Sequence, residues 1–217
     1  RCLTYTVDRA NFDLHLLRMA EKAGAEVRLG NAVERITESG GVRLSTADGV
    51  ISARCAVIAE AAGSRNARAL FGPPPKDCMA MGLRSVDRTV NDPGDDIEVF
   101  LIDTPTKGLR KYPMFPLMGW MFPYRGRANF GVGGHGYAKE QLMNGMGMVW
   151  DDSQAKAVER SSPSAHPIPI LPRERLSSSR VMLAGDSAGL VSPMSGEGLS
   201  HGLASAMLAS ESAVSFI

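Results

Sequence analysis

The densest chemistry in the chain lies between Val181 and Leu199, in Val-Met-Leu-Ala-Gly-Asp-Ser-Ala-Gly-Leu-Val-Ser-Pro-Met-Ser-Gly-Glu-Gly-Leu. The apolar run Val181–Ala184 predicts a short buried strand, which delivers Gly185 and Asp186 at its C-terminal end. In open α/β sheets that is where ligands bind. A carboxylate there can accept hydrogen bonds from sugar or polyol hydroxyls. A loop through Gly189 follows, and Gly196-Glu197-Gly198 opens a helix at Leu199. Glycine at that point lets a ligand approach the backbone. The free N–H groups and the positive end of the helix dipole would then face it. Gly198, Gly202 and Ala206 recur at i, i+4 and i+8, a stripe of small residues suited to close packing.

The same letters admit a rival chemistry. Gly185-Asp186-Ser187-Ala188-Gly189 fits G-x-S-x-G, the nucleophile elbow of α/β-hydrolases. Chain order argues against it, because the acid and the histidine should follow the serine on separate loops. Only 30 residues follow Ser187, with no Asp among them. Glu197 and His201 stand four apart on one predicted helix, too close to the serine to complete a triad. A trypsin-like reading fails as well, since His15 lacks matching flanks and the chain lacks disulfide-forming cysteines.

A second constellation is Trp120-Met121-Phe122-Pro123, then seven residues, then Gly131-Val132-Gly133. On a strand, Met118, Trp120 and Phe122 share one face and Met121 the other. Aromatics so placed serve a core or line a cavity, and the glycine pair behind them favours the cavity. Of the 12 methionines, Met114, Met118, Met121, Met143, Met146 and Met148 crowd one stretch, and flexible thioethers suit irregular apolar surfaces. His135 reads as a turn residue, His166 before Pro167 as a loop residue, and Cys78 as a small hydrophobe. His201 suits packing and proximity to a ligand equally.

Composition narrows the classes. The chain has 217 residues, 44% hydrophobic and 22% charged, ordinary for a globular protein of one or two domains. A net charge of +1 gives no basic excess for nucleic acid or an anionic membrane. Cys2, Cys55 and Cys78 form no C-x-x-C, so neither a metal site nor a disulfide framework is expected. No apolar run approaches the ~18–20 residues of a membrane span. A cytoplasmic protein is the expectation, with peripheral membrane contact left open.

The elements that must position these residues follow from periodicity. Cys2–Val7 reads as a strand. A helix capped by Asp8 follows, burying Phe12, Leu16, Met19, Ala20 and Ala23 and ending at Gly24. Ala25–Leu29 reads as a further strand. Ala32–Thr37, Val42–Thr46 and Val50–Ala53 form a meander with turns at Gly40-Gly41 and Asp48-Gly49. Cys55–Ala59 is fully apolar, as a strand buried on both faces would be. Pro73-Pro74-Pro75 marks a boundary. Beyond it, Ile97–Ile102, Gly119–Tyr124 and Ala128–Gly133 predict an antiparallel sheet. One or two helices fall within residues 138–162, and the last helix begins at Leu199.

This order resembles the second half of a flavoprotein dinucleotide-binding domain. The segment Gly-Asp-Ser-Ala-Gly-Leu-Val-Ser-Pro through Gly-Glu-Gly resembles the second flavin motif of para-hydroxybenzoate hydroxylase-like proteins, and within them the geranylgeranyl reductase family. That family also has a substrate-cavity motif, aromatic-x-Trp-x-Phe-Pro followed by Gly-x-Gly, which Trp120 to Gly133 resembles with Met118 in the first aromatic's place. Arg9 with Phe12-Asp13 is similar to its Arg-x-x-Phe-Asp helix start. The resemblance implies a mixed α/β fold: an FAD-binding, Rossmann-like part with a β-meander (residues 1–71 and 168–217), and an antiparallel-sheet substrate part (72–167). It implies Arg9, Gly185, Asp186, Gly189, Gly196, Glu197, Gly198 and Leu199 at FAD, with NAD(P)H or another reductant as electron donor. It implies Met118, Trp120, Phe122, Pro123, Gly131 and Gly133 at the substrate, a prenyl lipid or prenyl diphosphate whose C=C bonds are reduced. The helix start at Gly198 would suit the negative charge of reduced flavin near N1 and its C2 carbonyl. No catalytic side chain is assigned, and no protein partner or nucleic acid is expected. Other flavin monooxygenases, halogenases or dehydrogenases of the fold, and a non-catalytic remnant, are the alternatives. Two departures stand out. The family's Ala-Asp-Gly is here Ala61-Ala62-Gly63, with Asn66 in place of a serine, which predicts a weaker turn. The strand, G-x-G-x-x-G and helix that open such flavoproteins do not open this chain, which reads as a piece of a longer protein.

Overall fold

The computed structural model describes residues 5–91, 94–103 and 116–216; Cys2 and Met114 lie outside them. Helix α1 (Arg9–Lys22) starts where Asp8 accepts a hydrogen bond from the Asn11 N–H at 3.1 Å. It ends at Gly24, whose φ of 98° only glycine adopts readily. The expected buried face is not found: none of the helix is buried, and Phe12 and Leu16 are only half-covered. Residues 5–8 and Ala25–Leu29 carry no strand, and Leu29 is exposed.

The meander forms as the turn residues direct. Strands β1 (Val33–Glu38), β2 (Val42–Thr46) and β3 (Gly49–Ala53) pair antiparallel in sequence order. Strand β4 (Ala56–Ile58) leads into helix α2 (Arg65–Phe71), whose Ser64 cap accepts from the Ala67 N–H at 2.9 Å. Ile36, Val42, Ile58 and Ala67 bury together with Val181 and Leu183. Strand β4 is not covered on both faces, since Val57 is 42% exposed.

Strands β5 (Met79–Arg88), β6 (Glu98–Ile102), β7 (Leu117–Tyr124), β8 (Arg127–Gly134) and β9 (Ser164–Pro169) form one antiparallel sheet, ordered β6-β7-β8-β5-β9. Strand β9 stands whole in this sheet, so its Ile168 and Pro169 go with the antiparallel block rather than with the elements that follow. Its prolines sit on an edge strand, where a missing N–H costs no ladder bond. Helix α3 (Lys139–Asp152) covers one sheet face, and Leu83, Leu117, Met121, Phe130, Val132, Met146 and Val149 form the core between them. The approach is close: a Cβ on Gly119 would come within 2.4 Å of Val149, and one on Gly145 within 2.6 Å of Leu117.

Strand β10 (Val181–Leu183) pairs parallel with β4, Val181 opposite Ala56 and Leu183 opposite Ile58. Helix α4 (Leu199–Phe216) follows and buries only Ala209. No helix among the described residues is long and apolar enough to cross a membrane.

Candidate active site

The parallel pair β4 and β10 ends in two turns that face one another. Gly185 leaves β10 with φ of 56°, and residues 185–187 make a single tight 3-10 turn. The Gly185 N–H donates to Ser205 Oγ of α4 at 2.9 Å. The small-residue stripe acts here, because Gly185 and Gly202 meet backbone to backbone: a Cβ on Gly185 would lie 3.7 Å from the Gly202 Cα.

Between these turns, α4 and the edge of the antiparallel sheet lies a cleft of about 660 Å³. Ala59, Ala61, Ala62 and Gly63 line it from the turn after β4, and Gly185 and Asp186 from the end of β10. Gly196, Gly198, Leu199 and Gly202 line it from the start of α4, and Arg9 from α1. Six of the eight residues expected at the cofactor therefore share one cleft. A Cβ on Gly198 would come within 3.4 Å of Asp186 Oδ1, so glycine leaves that space open. A smaller depression of about 360 Å³ beside Phe216 and Ser177–Arg180 holds no comparable chemistry.

The remaining two expectations are corrected. Gly189 is not at the cleft. It is held at φ of 79° against the Leu171 carbonyl, which a Cβ would approach to 2.2 Å, so it shapes the turn. Glu197 also stays outside the cleft: its carboxylate accepts from the Ser200 N–H at 2.8 Å and from the Ser200 hydroxyl, capping α4. Partial burial opposes its charge, yet these bonds hold it below the usual carboxylate range. The helix start is thus partly satisfied by its own side chain. His201 lies 3.7 Å from Glu197, away from the cleft lining.

Burial pushes the Asp186 carboxyl above its ordinary range, and the nearby Arg9 guanidinium opposes the shift. Arg9 is itself held by two 3.0 Å bonds to Asp13. Desolvated acids beside an open cleft are a common mark of functional sites. The hydrolase reading fails on geometry as well as order. Ser187 is 1% exposed, and its hydroxyl donates to the Ala61 carbonyl at 3.2 Å.

That bond joins the two turns, and two further contacts hold them. Arg173, buried, donates through Nε to the Ser187 carbonyl at 2.9 Å and through Nη1 to Gly72 at 2.7 Å. Glu60 accepts from Ser64 Oγ and from Asn66 Nδ2, each at 2.7 Å, and Asn66 also donates to the Val33 carbonyl at 3.0 Å. The turn that lacks the expected aspartate is therefore clamped by its neighbour Glu60, with Asn66 as the second hand. Ala61 accordingly keeps a positive φ of 59°.

On the sheet, Met118, Trp120 and Phe122 share the face opposite α3, and Met121 is buried against α3 as alternation requires. The Trp120 and Phe122 rings stack with centroids 6.1 Å apart. Trp120 Nε1 donates to Asn129 Oδ1 at 3.3 Å. The indole lies across Gly131, where a Cβ would come within 2.0 Å of the ring, and reaches Gly133. Pro123, expected at the substrate, falls on the other face with Met121. The segment Gly131-Val132-Gly133-Gly134-His135-Gly136 spells G-x-G-x-x-G, but its first four residues are strand, and Gly131, Gly133 and Gly134 leave room for the Trp120 and Tyr137 rings.

The aromatic pair does not itself line the cleft; Arg84, His166, Pro167 and Ile168 do so from this sheet. Sequence reading missed Arg84 and placed His166 in a loop, whereas His166 stands on β9 opposite Gly82.

The donor set suits the flavin end of FAD: a strand-end carboxylate for hydroxyls, glycine-walled space for a planar ring, and a helix start beside it.

No family model matches the chain. It is 29% identical over 230 residues to digeranylgeranylglycerophospholipid reductase 2 of Methanopyrus kandleri, covering 98% of this chain. The chain spans about half the length of that curated relative, 56%. Among solved structures it resembles a geranylgeranyl bacteriochlorophyll reductase-like protein from Thermoplasma acidophilum (TM-score 0.68, 18% identity, 97% of this chain and 56% of that one). A flavoprotein/dehydrogenase from Cytophaga hutchinsonii is similar (TM-score 0.68, 19% identity, 93% and 52%). So is a flavin-dependent halogenase from Brevundimonas sp. BAL3 (TM-score 0.66, 17% identity, 91% and 39%). The structural likenesses show the fold that these proteins share.

Proposed function

We propose that this chain is part of an FAD-dependent oxidoreductase that reduces C=C bonds of prenyl chains. One observation carries the reading: Asp186 and the Gly196–Gly198 helix start face one cleft, and the sheet bordering that cleft bears an apolar aromatic face. Bound there, reduced flavin would supply a hydride to one alkene carbon while a proton reaches the other, and NAD(P)H or another reductant would recharge it.

The chain's residues bind and orient. Asp186, half-buried and faced by Arg9, accepts hydrogen bonds from cofactor hydroxyls. Gly185, Gly198 and Gly202 keep the space beside α4 free of side chains. Glu60, Asn66, Ser187 and Arg173 hold both turns still, so the orientation is set before ligand arrives. Trp120 and Phe122 offer a flat wall to a chain that has no hydrogen bonds to give. Its binding rests on apolar burial, about 25 cal/mol per Å².

The test uses the protein at its full natural length. Purified with FAD, it should show flavin absorbance. Reduced anaerobically, the flavin should be reoxidised on adding a geranylgeranyl compound. Absence of flavin after incubation with FAD would sink the reading. Reoxidation by oxygen and halide, but by no prenyl compound, would move the protein to the halogenase branch of the fold.

A further inference from the structure

Arg84 and His166 line the cleft from the adjacent strands β5 and β9, on the sheet face that carries the aromatic pair. Arg84 stands opposite Gly131 on β8, and Gly131 opposite Trp120 on β7. Because Gly131 has no side chain, the indole lies over it and extends the apolar face toward Arg84. The Arg84 guanidinium is exposed and makes no hydrogen bond or ion pair with any described residue. Across the cleft, Asp186 is faced by Arg9, and Arg9 by Asp13. Among the described residues Arg84 is therefore an unmatched cation on a wall otherwise made of Pro167, Ile168 and glycine, with an imidazole on the neighbouring strand.

A long isoprenoid offers nothing polar along its length, so which bond meets the cofactor must be set at the chain's end. A guanidinium fork takes two phosphate oxygens at once. Resting on the reading above, we propose that Arg84, assisted by His166, forms the subsite for the phosphate or diphosphate head group of the prenyl substrate. The chain then lies along Trp120 and Phe122.

The test is calorimetric titration of the oxidised, FAD-loaded, full-length protein with geranylgeranyl diphosphate, geranylgeraniol and pyrophosphate. Arg84→Gln should weaken the diphosphate by about tenfold or more, as loss of charged hydrogen bonds does. It should leave geranylgeraniol within about twofold, and Arg84→Lys should recover part of the loss. Equal weakening of both prenyl ligands, or of neither, would overturn the assignment. So would loss of flavin absorbance in Arg84→Gln, which would give Arg84 to the cofactor. Pyrophosphate binding as tightly as the prenyl diphosphate would also overturn it, because the site would then hold a free anion. If diphosphate binding depends on Arg84 while neither prenyl compound reoxidises reduced flavin, the subsite stands and the reductase reading falls.

Discussion

The antiparallel sheet with α3 and the parallel pair with α1 and α4 divide labour unequally. The first closes a core of its own, in which Leu117, Phe130, Val132, Met146 and Val149 are fully buried. The second buries a handful of residues beneath the meander and leaves Leu203, Met207, Leu208, Val214 and Phe216 of α4 exposed. Yet the second region supplies most of the cleft. Stability is concentrated where little chemistry occurs, and the chemistry sits on turns fixed by individual polar bonds rather than by packing. Local stability is drawn down at sites that must accept ligands.

The largest expected effect tests the packed half. Phe130→Ala should destabilise by about 3–5 kcal/mol, while Leu208→Ala on the open face of α4 should change stability by less than about 0.5 kcal/mol. Equal shifts in thermal denaturation would erase the contrast. Gly189→Ala tests whether the cleft half tolerates backbone change. With φ of 79° and the Leu171 carbonyl 2.2 Å from the new Cβ, it should cost about 2–3 kcal/mol and speed proteolysis near the turn. A neutral outcome would mean the turn relaxes freely.

Glu60→Ala leaves Ser64 and the buried Asn66 without their acceptor, and should cost about 1–2 kcal/mol. In the full-length protein it should also weaken FAD, read as cofactor lost on dilution. Loss of stability with unchanged FAD retention would make the clamp merely structural.

The smallest effect is on pH dependence. Burial raises the Asp186 pKa, so the folded state holds that proton more tightly than the unfolded chain. Stability from this group is therefore fully present below the ordinary value of 3.8 and is lost as pH rises through the raised one. Asp186→Asn should be more stable than wild type at neutral pH, and the gap should close in acid. Screening at this half-exposed site keeps it below about 1 kcal/mol. A gap that widens in acid would show that Arg9 outweighs burial.

Legibility followed the same division, though not in the same direction. Gly40-Gly41 and Asp48-Gly49 specify the meander turns, and the apolar runs at Ala56 and Val181 announce the parallel pair. Asp186 and Gly198 were legible because few backbone environments call for that spelling. Strands β5 and β9 were not. Gly82 and Asp87 interrupt β5, and Asp87 faces inward only because Ser85, Trp150 and Ser161 all donate to it. Prolines disguise β9 as a loop. Arg84 and His166 were lost with their strands. The amphipathic pattern of α1 gives its helix but not a buried face, since the described residues leave Phe12 and Leu16 half-covered and Met19 exposed. Glu60 is two positions away from where an acid was sought, and only the fold shows that it reaches Asn66.

The register at the junction of the two regions bears on how the chain assembles. Ser187 reaches Ala61 across 126 residues of sequence, a span whose closure is slow and entropically costly for an open coil. The antiparallel sheet lies within that span, and its first and last residues, Met79 and Pro169, are paired with one another. Once β5 and β9 have met, the excursion leaves and returns at a single point. The effective loop between β4 and β10 then shrinks to the two short arms on either side of that pair. The sheet, able to form from its own neighbouring hairpins, thus serves as the clasp that brings the distant halves of the cleft within reach. Closing the cleft therefore costs less chain entropy once the packed region has formed than it would from an open coil.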